Sequence, residues 1–478
     1  MLFNSFEFTV FIPIVFIVYW FLLNKKLKLQ NAFLLASSYV FYGWWDWRFL
    51  GLIIFSSFVD YTIGLYLGKT NKVSHRKRLL AISLILNIGL LGFFKYFNFF
   101  IESFNDTVRF FGNNFDLDTL NIILPVGISF YTFQTLSYTI DVYNRKLEPA
   151  KDVISFFTYV SFFPQLVAGP IERATNLLPQ FYKKRAFDYD FAVSGLKLIL
   201  WGLFKKVVIA DNAATFVNII FSNTENYSGS TIFLGVILFS FQIYGDFSGY
   251  SDIAIGTSRL FGFKLMRNFA FPYFSRDIAE FWRRWHISLS TWFRDYVYIP
   301  LGGSRGGLWQ KVRNTFVIFV LSGFWHGANW TFMSWGFLNA LFFLPLLVLK
   351  KNRINTDLVA EGKFLPNLRE VFQMLVTFVM VNLAWIFFRA DSMSHAAQIY
   401  FKIISPSLFA VPELMPLKII ILIIIFVIIE WLRRDREVVL DFSDWRIPRP
   451  LRFLIYYLII SSIFLLGGQQ QEFIYFQF

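Results

Sequence analysis

The sequence predicts an all-α, polytopic membrane protein with about ten to eleven transmembrane helices, plus re-entrant and interfacial helices. Three observations lead to this fold class. Of the 478 residues, 56% are hydrophobic and 21% aromatic, which is far from the composition of a soluble domain. Most apolar residues are gathered in runs long enough to cross a bilayer. Short clusters of Lys and Arg separate these runs, as in cytoplasmic loops.

The same observations limit domain organisation and function. No soluble segment interrupts the apolar runs, so we expect one integral-membrane domain over residues 1–478. The net charge of +14 lies in short inter-run clusters, which is the positive-inside pattern and argues against nucleic-acid binding. The chain has no cysteine, which excludes disulfides, thiolate metal sites and a cysteinyl acyl-enzyme.

The apolar run 315–349 is the centre of the prediction because its one ionisable residue is His326. An ionisable side chain within a membrane span indicates a functional site. Basic residues flank the run on both sides, namely Lys311, Arg313, Lys350, Lys351 and Arg353. Both ends should therefore lie on the cytoplasmic side. Two full spans need about 40 residues, so we expect two short or tilted segments, or a re-entrant hairpin, with His326 near the turn.

Charged residues also interrupt two other apolar runs. Lys205 and Lys206 lie in the run 191–222, where they either extend towards the interface or line an aqueous cavity. Asp246 and Asp252 lie in the run 231–256, and two carboxylates there need either cationic partners or water. The sequence leaves both alternatives open.

The segment 259–313 is basic, with ten Lys or Arg against three Asp or Glu. Within it, three tryptophans and a leucine recur at steps of three, four and three residues, which is one helical face: Trp282, Trp285, Leu289 and Trp292. We interpret the stretch 281–305 as an interfacial amphipathic helix on the cytoplasmic side, followed by the Gly-rich turn LGGSRGG. It carries a second histidine, His286. Two more histidines, His75 in a basic loop and His395 in a predicted outer segment, are expected to have no role.

The residues permit acyl transfer without establishing it. Imidazole titrates near neutral pH and can take a proton from a hydroxyl, while cytoplasmic arginines can hold an anionic donor by its phosphates. A secondary transporter remains the rival, because transporters also bury charges and break helices at mid-membrane. No metal-binding, P-loop, dinucleotide or nucleophile-elbow motif is present.

Several motifs together resemble the membrane-bound O-acyltransferase (MBOAT) family, in its bacterial branch containing alginate O-acetyltransferase. The order of the motifs is also the family's, and they are PVGISFYTFQTLSYTIDVY (125–143), FFPQLVAGPIER (162–173), FQIYGDFSGYSDIAIG (241–256), FWRRWHISLSTWFRDYVYIPLGGSR (281–305), LSGFWHGANWTF (321–332) and WIFFRA (385–390). The terminal EFIYFQF (472–478) is similar as well. The resemblance therefore covers nearly the whole chain.

The resemblance implies an MBOAT fold, which is a helical bundle thinned at its centre, with cavities approaching the histidine from both membrane faces. It also implies that His326 is the catalytic base and that His286 is its partner. The residues expected to contact substrate are Trp282, Arg283, Arg284, Arg294 and Asn329. No metal and no permanently bound cofactor are implied.

The resemblance further implies a multi-pass protein of the bacterial inner membrane that O-acetylates an exported polysaccharide such as alginate. The expected donor is acetyl-CoA, and the acetyl group is passed through an extracytoplasmic partner acetylase. The alternative is D-alanyl transfer from an acyl carrier protein to teichoic acid. From the basic clusters we expect both termini outside and the segment 259–313 inside.

Overall fold

A computed structural model of the protein describes residues 1–113, 115–445 and 447–474. The described residues form nineteen α-helices and no β-strand, which confirms the predicted all-α class. They divide into two compact units. The first contains residues 1–195 and 257–266, and the second contains 196–256 and 267–478. This division does not test the prediction of a single membrane domain.

The first unit is built from eight complete helices, followed by the start of a ninth. These are α1 Phe6–Ile17, α2 Leu27–Asp46, α3 Leu50–Lys69, α4 Val73–Leu91, α5 Phe97–Phe110, α6 Ile128–Tyr143, α7 Val153–Ser161, α8 Ala174–Phe181 and α9 Tyr189–Leu203. Polar side chains hold its core together. Buried Asp60 on α3 accepts hydrogen bonds from Asn87 Nδ2 and Thr139 Oγ1, both at 2.8 Å, because a buried carboxylate needs such donors.

The second unit contains the site and begins within α9. Its further helices are α10 Asp211–Phe221, α11 Gly229–Leu260, α12 Ile278–Arg284, α13 Ile287–Phe293, α14 Leu308–His326, α15 Trp330–Val348, α16 Leu368–Arg389, α17 Met393–Ile403, α18 Leu417–Leu432 and α19 Arg449–Leu466. A π-helical segment, Phe204–Ala210, joins α9 to α10, and a second one, Arg294–Tyr298, follows α13. The end of α11, from residue 257, belongs to the first unit.

Six helical segments of the described chain are long and apolar enough to cross a membrane. They are Leu27–Lys69, Val73–Phe110, Gly229–Leu260, Trp330–Val348, Leu368–Arg389 and Arg449–Leu466. The first two have 43 and 38 residues, and each includes two α-helices. Other apolar helices fall outside this group, because α14 begins with charged residues and α18 has only 16 residues. The exact count of ten to eleven crossings stays a prediction.

The charges in the apolar runs form buried ion pairs, which decides between the alternatives that the sequence left open. Lys205 Nζ lies 2.8 Å from Asp252 Oδ2. Lys206 Nζ lies 2.8 Å from both Asp211 Oδ1 and Asp246 Oδ1. The lysine side chains are 3% and 8% exposed, so they are paired inside the protein and do not extend to an interface.

The Lys206 cluster also holds the chain that follows α19. Lys206 Nζ donates a hydrogen bond to the carbonyl oxygen of Gln471 at 3.1 Å. The backbone N–H of Ile474 donates to Asp246 Oδ2 at 2.7 Å. Phe473 is buried beside Tyr250, with ring centroids 4.7 Å apart. The similarity noted at 472–478 extends into residues 475–478, which lie outside the described residues.

Helices α14 and α15 form an antiparallel hairpin whose turn is the three residues 327–329. Gly323 and Gly336 allow the close approach of the two helices, because a Cβ atom on either would meet the backbone carbonyl of the opposite helix. His326 is the last residue of α14. The hairpin predicted for 315–349, with His326 near the turn, is therefore confirmed.

The amphipathic helix predicted within 281–305 is wrong as a single element. The chain forms two seven-residue helices, α12 and α13, which are separated at Trp285 and His286. His286 has a φ of 43°, a left-handed conformation that few residues other than glycine adopt. An adjacent segment explains the break: Ala270 N–H donates to the Arg284 carbonyl, and Ile287 N–H donates to the Asn268 carbonyl, each at 2.9 Å.

Candidate active site

A cavity of about 450 Å³ lies within the second unit and contains both predicted histidines in its wall. Its lining comes from α12, α13, the π-helical segment Arg294–Tyr298 and the loop after it, α14, the second half of α15 and the loop after α15. One face of α14 runs along it, from Thr315 through Phe319 and Ser322 to His326. His326 follows Thr315 by eleven residues, which corresponds to about 16 Å of helix. The cavity therefore extends along α14, with His326 at one end.

His326 is surrounded by aromatic rings at the turn of the hairpin. Its ring centroid lies 4.8 Å from that of Trp325, 5.2 Å from Trp335 and 5.3 Å from Phe388. The residue is 4% exposed. Tight packing by rigid rings fixes the direction of the imidazole, which a positioned general base requires.

His286 is held by hydrogen bonds that determine its tautomer. Asn268 Oδ1 accepts from Ser288 N–H at 3.3 Å and from Ser288 Oγ–H at 2.9 Å, so this atom is the amide oxygen. His286 Nδ1 lies 3.1 Å from the same oxygen and must therefore donate. Nε2 then carries the ring's basic lone pair. Burial lowers the pKa of His286 to about 3, so the ring is neutral at physiological pH.

The two histidines lie close together, with ring centroids 6.3 Å apart. Helices α12 and α13 bring His286 to the cavity at their junction, and the hairpin brings His326 from the other side. The left-handed backbone at His286 is the kind of strain that concentrates at functional sites. Within the described ranges, no group of three or more His, Asp or Glu side chains is arranged to hold a metal ion.

Three of the five predicted substrate contacts line this cavity, namely Trp282, Arg283 and Arg294. The Trp282 ring packs edge-on against Trp335, with centroids 5.6 Å apart. Arg294 forms an ion pair of 2.7 Å with Asp295. The guanidinium of Arg283 donates to two backbone carbonyls of the loop after α15. Arg283 and Arg294 are thus at the cavity but already engaged.

The other two predicted contacts, Arg284 and Asn329, do not line the cavity. Arg284 Nη2 pairs with Glu280 Oε1 at 2.7 Å. Asn329 caps the start of α15, where its side chain accepts from Thr331 N–H at 2.9 Å. Both side chains therefore have structural partners in this protein.

The remaining histidines lie away from the cavity. His75 is exposed on α4, in the first unit. His395 is on α17, where its Nδ1 accepts from the backbone N–H of Asp391 at 3.3 Å. They are suitable controls for the two histidines of the site.

Three residues that support or line the site are not among those predicted from the sequence. Asn268 has no recognisable signal, because it precedes His286 by 18 residues in an irregular segment. Ser322 was accessible to sequence reasoning, since it stands four residues before His326 and therefore on the same helical face. Arg353 was noted only as part of a basic flank, yet it lines the cavity.

The fold and the cavity define a multi-pass membrane protein with a buried histidine pair at one end of an internal cavity. Comparison with protein families places residues 40–389 in the family described as MBOAT, membrane-bound O-acyltransferase family. The chain belongs to this family. It is therefore a membrane O-acyltransferase, and the alternative of a secondary transporter is not retained.

Proteins that are similar to this chain carry three different functional names. The chain is 40% identical to the "Probable alginate O-acetylase AlgI" of Azotobacter vinelandii over 374 residues, which are 78% of this chain and 72% of the relative. It is 37% identical to the "Peptidoglycan O-acetyltransferase" of Helicobacter pylori over 417 residues, covering 81% and 77%. It is 30% identical to the "Teichoic acid D-alanyltransferase" of Streptococcus thermophilus over 292 residues, covering 56% and 69%.

Proposed function

We propose that this enzyme transfers an acetyl group from a cytoplasmic thioester, acetyl-CoA, for the O-acetylation of an exported or cell-envelope polysaccharide. The observation that carries the proposal is the placement of His326 and His286 together at one end of a cavity that is also lined by arginines. A thioester on a long, thin carrier can enter this cavity and bring its carbonyl to the histidines.

The chemistry follows from the two buried imidazoles. His326 accepts the proton of the acceptor hydroxyl, and the hydroxyl oxygen forms a bond to the thioester carbonyl carbon. The bond from that carbon to sulfur breaks, and the thiolate leaves with the proton from His326. The products are one ester and one thiol, so the reaction balances without a change of oxidation state. His286, with its Nδ1–H bound to Asn268, orients the reacting groups through Nε2.

The names of the relatives support the choice of the transferred group. The relatives named for O-acetylation of alginate and of peptidoglycan match 78% and 81% of this chain. The relative named as a D-alanyltransferase matches 56% of it. This supports acetyl over D-alanyl as the transferred group. We also propose that an extracytoplasmic acetylase is the partner that passes acetyl to a polysaccharide outside the cell, and that the enzyme lies in the bacterial inner membrane.

The test is transfer of labelled acetyl by purified protein in lipid vesicles. Wild type should transfer label from acetyl-CoA, and His326→Ala should lower the rate by about 10²- to 10⁴-fold, the usual effect of removing a general base. His286→Asn should also lower it, by a smaller factor. His75→Ala and His395→Ala are the matched controls and should retain wild-type turnover.

The thermal stability of each variant in detergent must be measured together with its transfer rate. If His326→Ala keeps normal turnover, or loses it only in step with unfolding, the assignment of the catalytic base is wrong. Label moving only from a charged carrier protein would instead favour D-alanyl-type chemistry.

The cytoplasmic position of the donor is tested by labelling. The native chain has no cysteine, so Ser304→Cys at the cavity lining provides a single reactive site. A reagent that does not cross membranes should modify it from the cytoplasmic side, and acetyl-CoA should slow the reaction. Modification from outside only would reverse the proposed orientation.

A further inference from the structure

The arginines around the cavity differ in how much of their charge is already neutralised. Arg294 pairs with Asp295, and Arg284 pairs with Glu280. Arg353 also lines the cavity, is exposed, and makes no hydrogen bond or ion pair with any residue that the structure describes. A cation that lines a cavity and lacks an internal partner is available to an anionic ligand.

The backbone around Arg353 is fixed by Arg283. Arg283 Nη1 donates to the carbonyl oxygen of Asn352 at 2.9 Å, and its Nη2 donates to the carbonyl oxygen of Asn355 at 2.6 Å. One planar guanidinium thus holds carbonyls on both sides of Arg353. A side-chain bond reinforces this, because Asn355 Nδ2 donates to Asp277 Oδ2 at 2.6 Å.

A second anchor lies two residues beyond Asn355. Arg276 Nη2 donates to the Asp357 backbone oxygen at 2.9 Å and to its Oδ1 at 3.0 Å. Arg276 also pairs with Glu280 at 3.1 Å. The loop 352–357 is therefore tied to α12 and the residues before it, and it presents Arg353 to the cavity in a defined position.

Arg353 and His326 lie at opposite ends of the cavity. The hairpin is antiparallel, so the loop that follows α15 is at the end away from the 327–329 turn. The lined face of α14 alone spans about 16 Å. A donor with its phosphate at Arg353 and its thioester at His326 must connect them by a thin linear arm, which is the shape of pantetheine.

We propose that Arg353 binds the phosphate group at the end of the donor's pantetheine arm, and that Arg283 acts as a positioning residue for the loop that presents it. This rests on the proposed function for the identity of the reacting group. The same phosphopantetheine chemistry occurs on coenzyme A and on an acyl carrier protein, so the experiment uses both sources.

Binding is measured by calorimetry in detergent with pantetheine, 4′-phosphopantetheine and coenzyme A. Wild type should bind 4′-phosphopantetheine about tenfold more tightly than pantetheine, as expected for one charge-assisted contact at a partly exposed site. Arg353→Ala should lose this preference while keeping its affinity for pantetheine, and Arg353→Lys should retain part of it. Arg305→Ala is the matched control, since Arg305 is an exposed arginine that does not line the cavity.

Transfer assays separate the two sources of the phosphate. With whichever donor wild type uses, acetyl-CoA or acetylated carrier protein, Arg353→Ala should raise KM about tenfold and leave kcat nearly unchanged. With acetyl-pantetheine the variant should match wild type.

An undiminished preference for 4′-phosphopantetheine in Arg353→Ala would overturn the proposal, as would an equal loss of affinity for pantetheine. Absence of the preference in wild type would overturn it too. Intact preference in a wild type that transfers acetyl from no donor would refute the proposed function but not this assignment.

Discussion

Buried His286 makes a specific prediction about how stability depends on pH. Its folded-state pKa of about 3 is far below the ordinary value of 6.5, because burial disfavours the charged ring. Below pH 6.5 the unfolded chain takes up a proton that the folded ring does not accept. Stability should therefore decline as the pH falls from about 6.5 towards 3, and be fully present above that range.

The magnitude follows from the distance to the unfolded pKa. At pH 5, which is 1.5 units below 6.5, the loss is about 2 kcal/mol from this group alone. His286→Asn removes the titrating ring and tolerates the left-handed backbone, since asparagine is enriched there. The variant will be less stable at every pH because it loses ring packing. Its additional loss between pH 7.5 and pH 5 should nevertheless be smaller than that of wild type by about 2 kcal/mol.

The assay compares denaturation of wild type and His286→Asn in one detergent at pH 7.5 and pH 5. Other titrating groups are common to both proteins and cancel in the double difference. His75→Asn, at an exposed position, should show the same pH dependence as wild type. An equal loss for wild type and His286→Asn would refute the reasoning, since it would mean that the folded ring takes up its proton near pH 6.5.

Three further changes test the hairpin, the buried ion cluster and the loop anchor. Gly323→Ala should lower melting temperature and turnover together, because its Cβ would meet the α15 backbone, whereas Gly89→Ala has open space and should be neutral in both assays. Lys206→Met should lower the free energy of unfolding by about 3–5 kcal/mol, because it leaves two buried carboxylates without a cation. Arg109→Met, which removes an exposed ion pair, should change the free energy of unfolding little. Arg283→Lys should raise donor KM more than it lowers kcat, because an ammonium cannot hold both loop carbonyls as a planar fork does; unchanged KM would contradict the anchor.

Features set by length and charge were predictable from the sequence. The hairpin at 315–349 follows from an apolar run too short for two full spans with basic residues at both ends. His326 is predicted to be functional because burying an ionisable side chain in such an apolar run is energetically costly. Pairing with a cation is one of the alternatives that the sequence leaves open for Asp246 and Asp252, and choosing between the alternatives requires knowing which helices are neighbours.

Features set by distant backbone were not predictable. The aromatic stripe from Trp282 to Trp292 has helical spacing, yet hydrogen bonds from the segment around Asn268 break the helix at His286. Periodicity does not detect such a break, because two short helices in sequence keep similar spacing. Likewise, Arg283 looked available for a phosphate, but carbonyls about 70 residues later occupy it.

The contact between α14 and α15 has a consequence for how the protein enters the membrane. Helix α14 carries His326 but is not among the six segments apolar enough to cross by themselves, whereas α15 is. Gly323 and Gly336 join the two helices along their length with a turn of three residues. We therefore expect the insertion machinery to take up α14 together with α15 as a pair, so that His326 reaches its depth only after the second helix has been synthesised. The same two glycines would then serve both membrane insertion and the placement of His326 at the cavity.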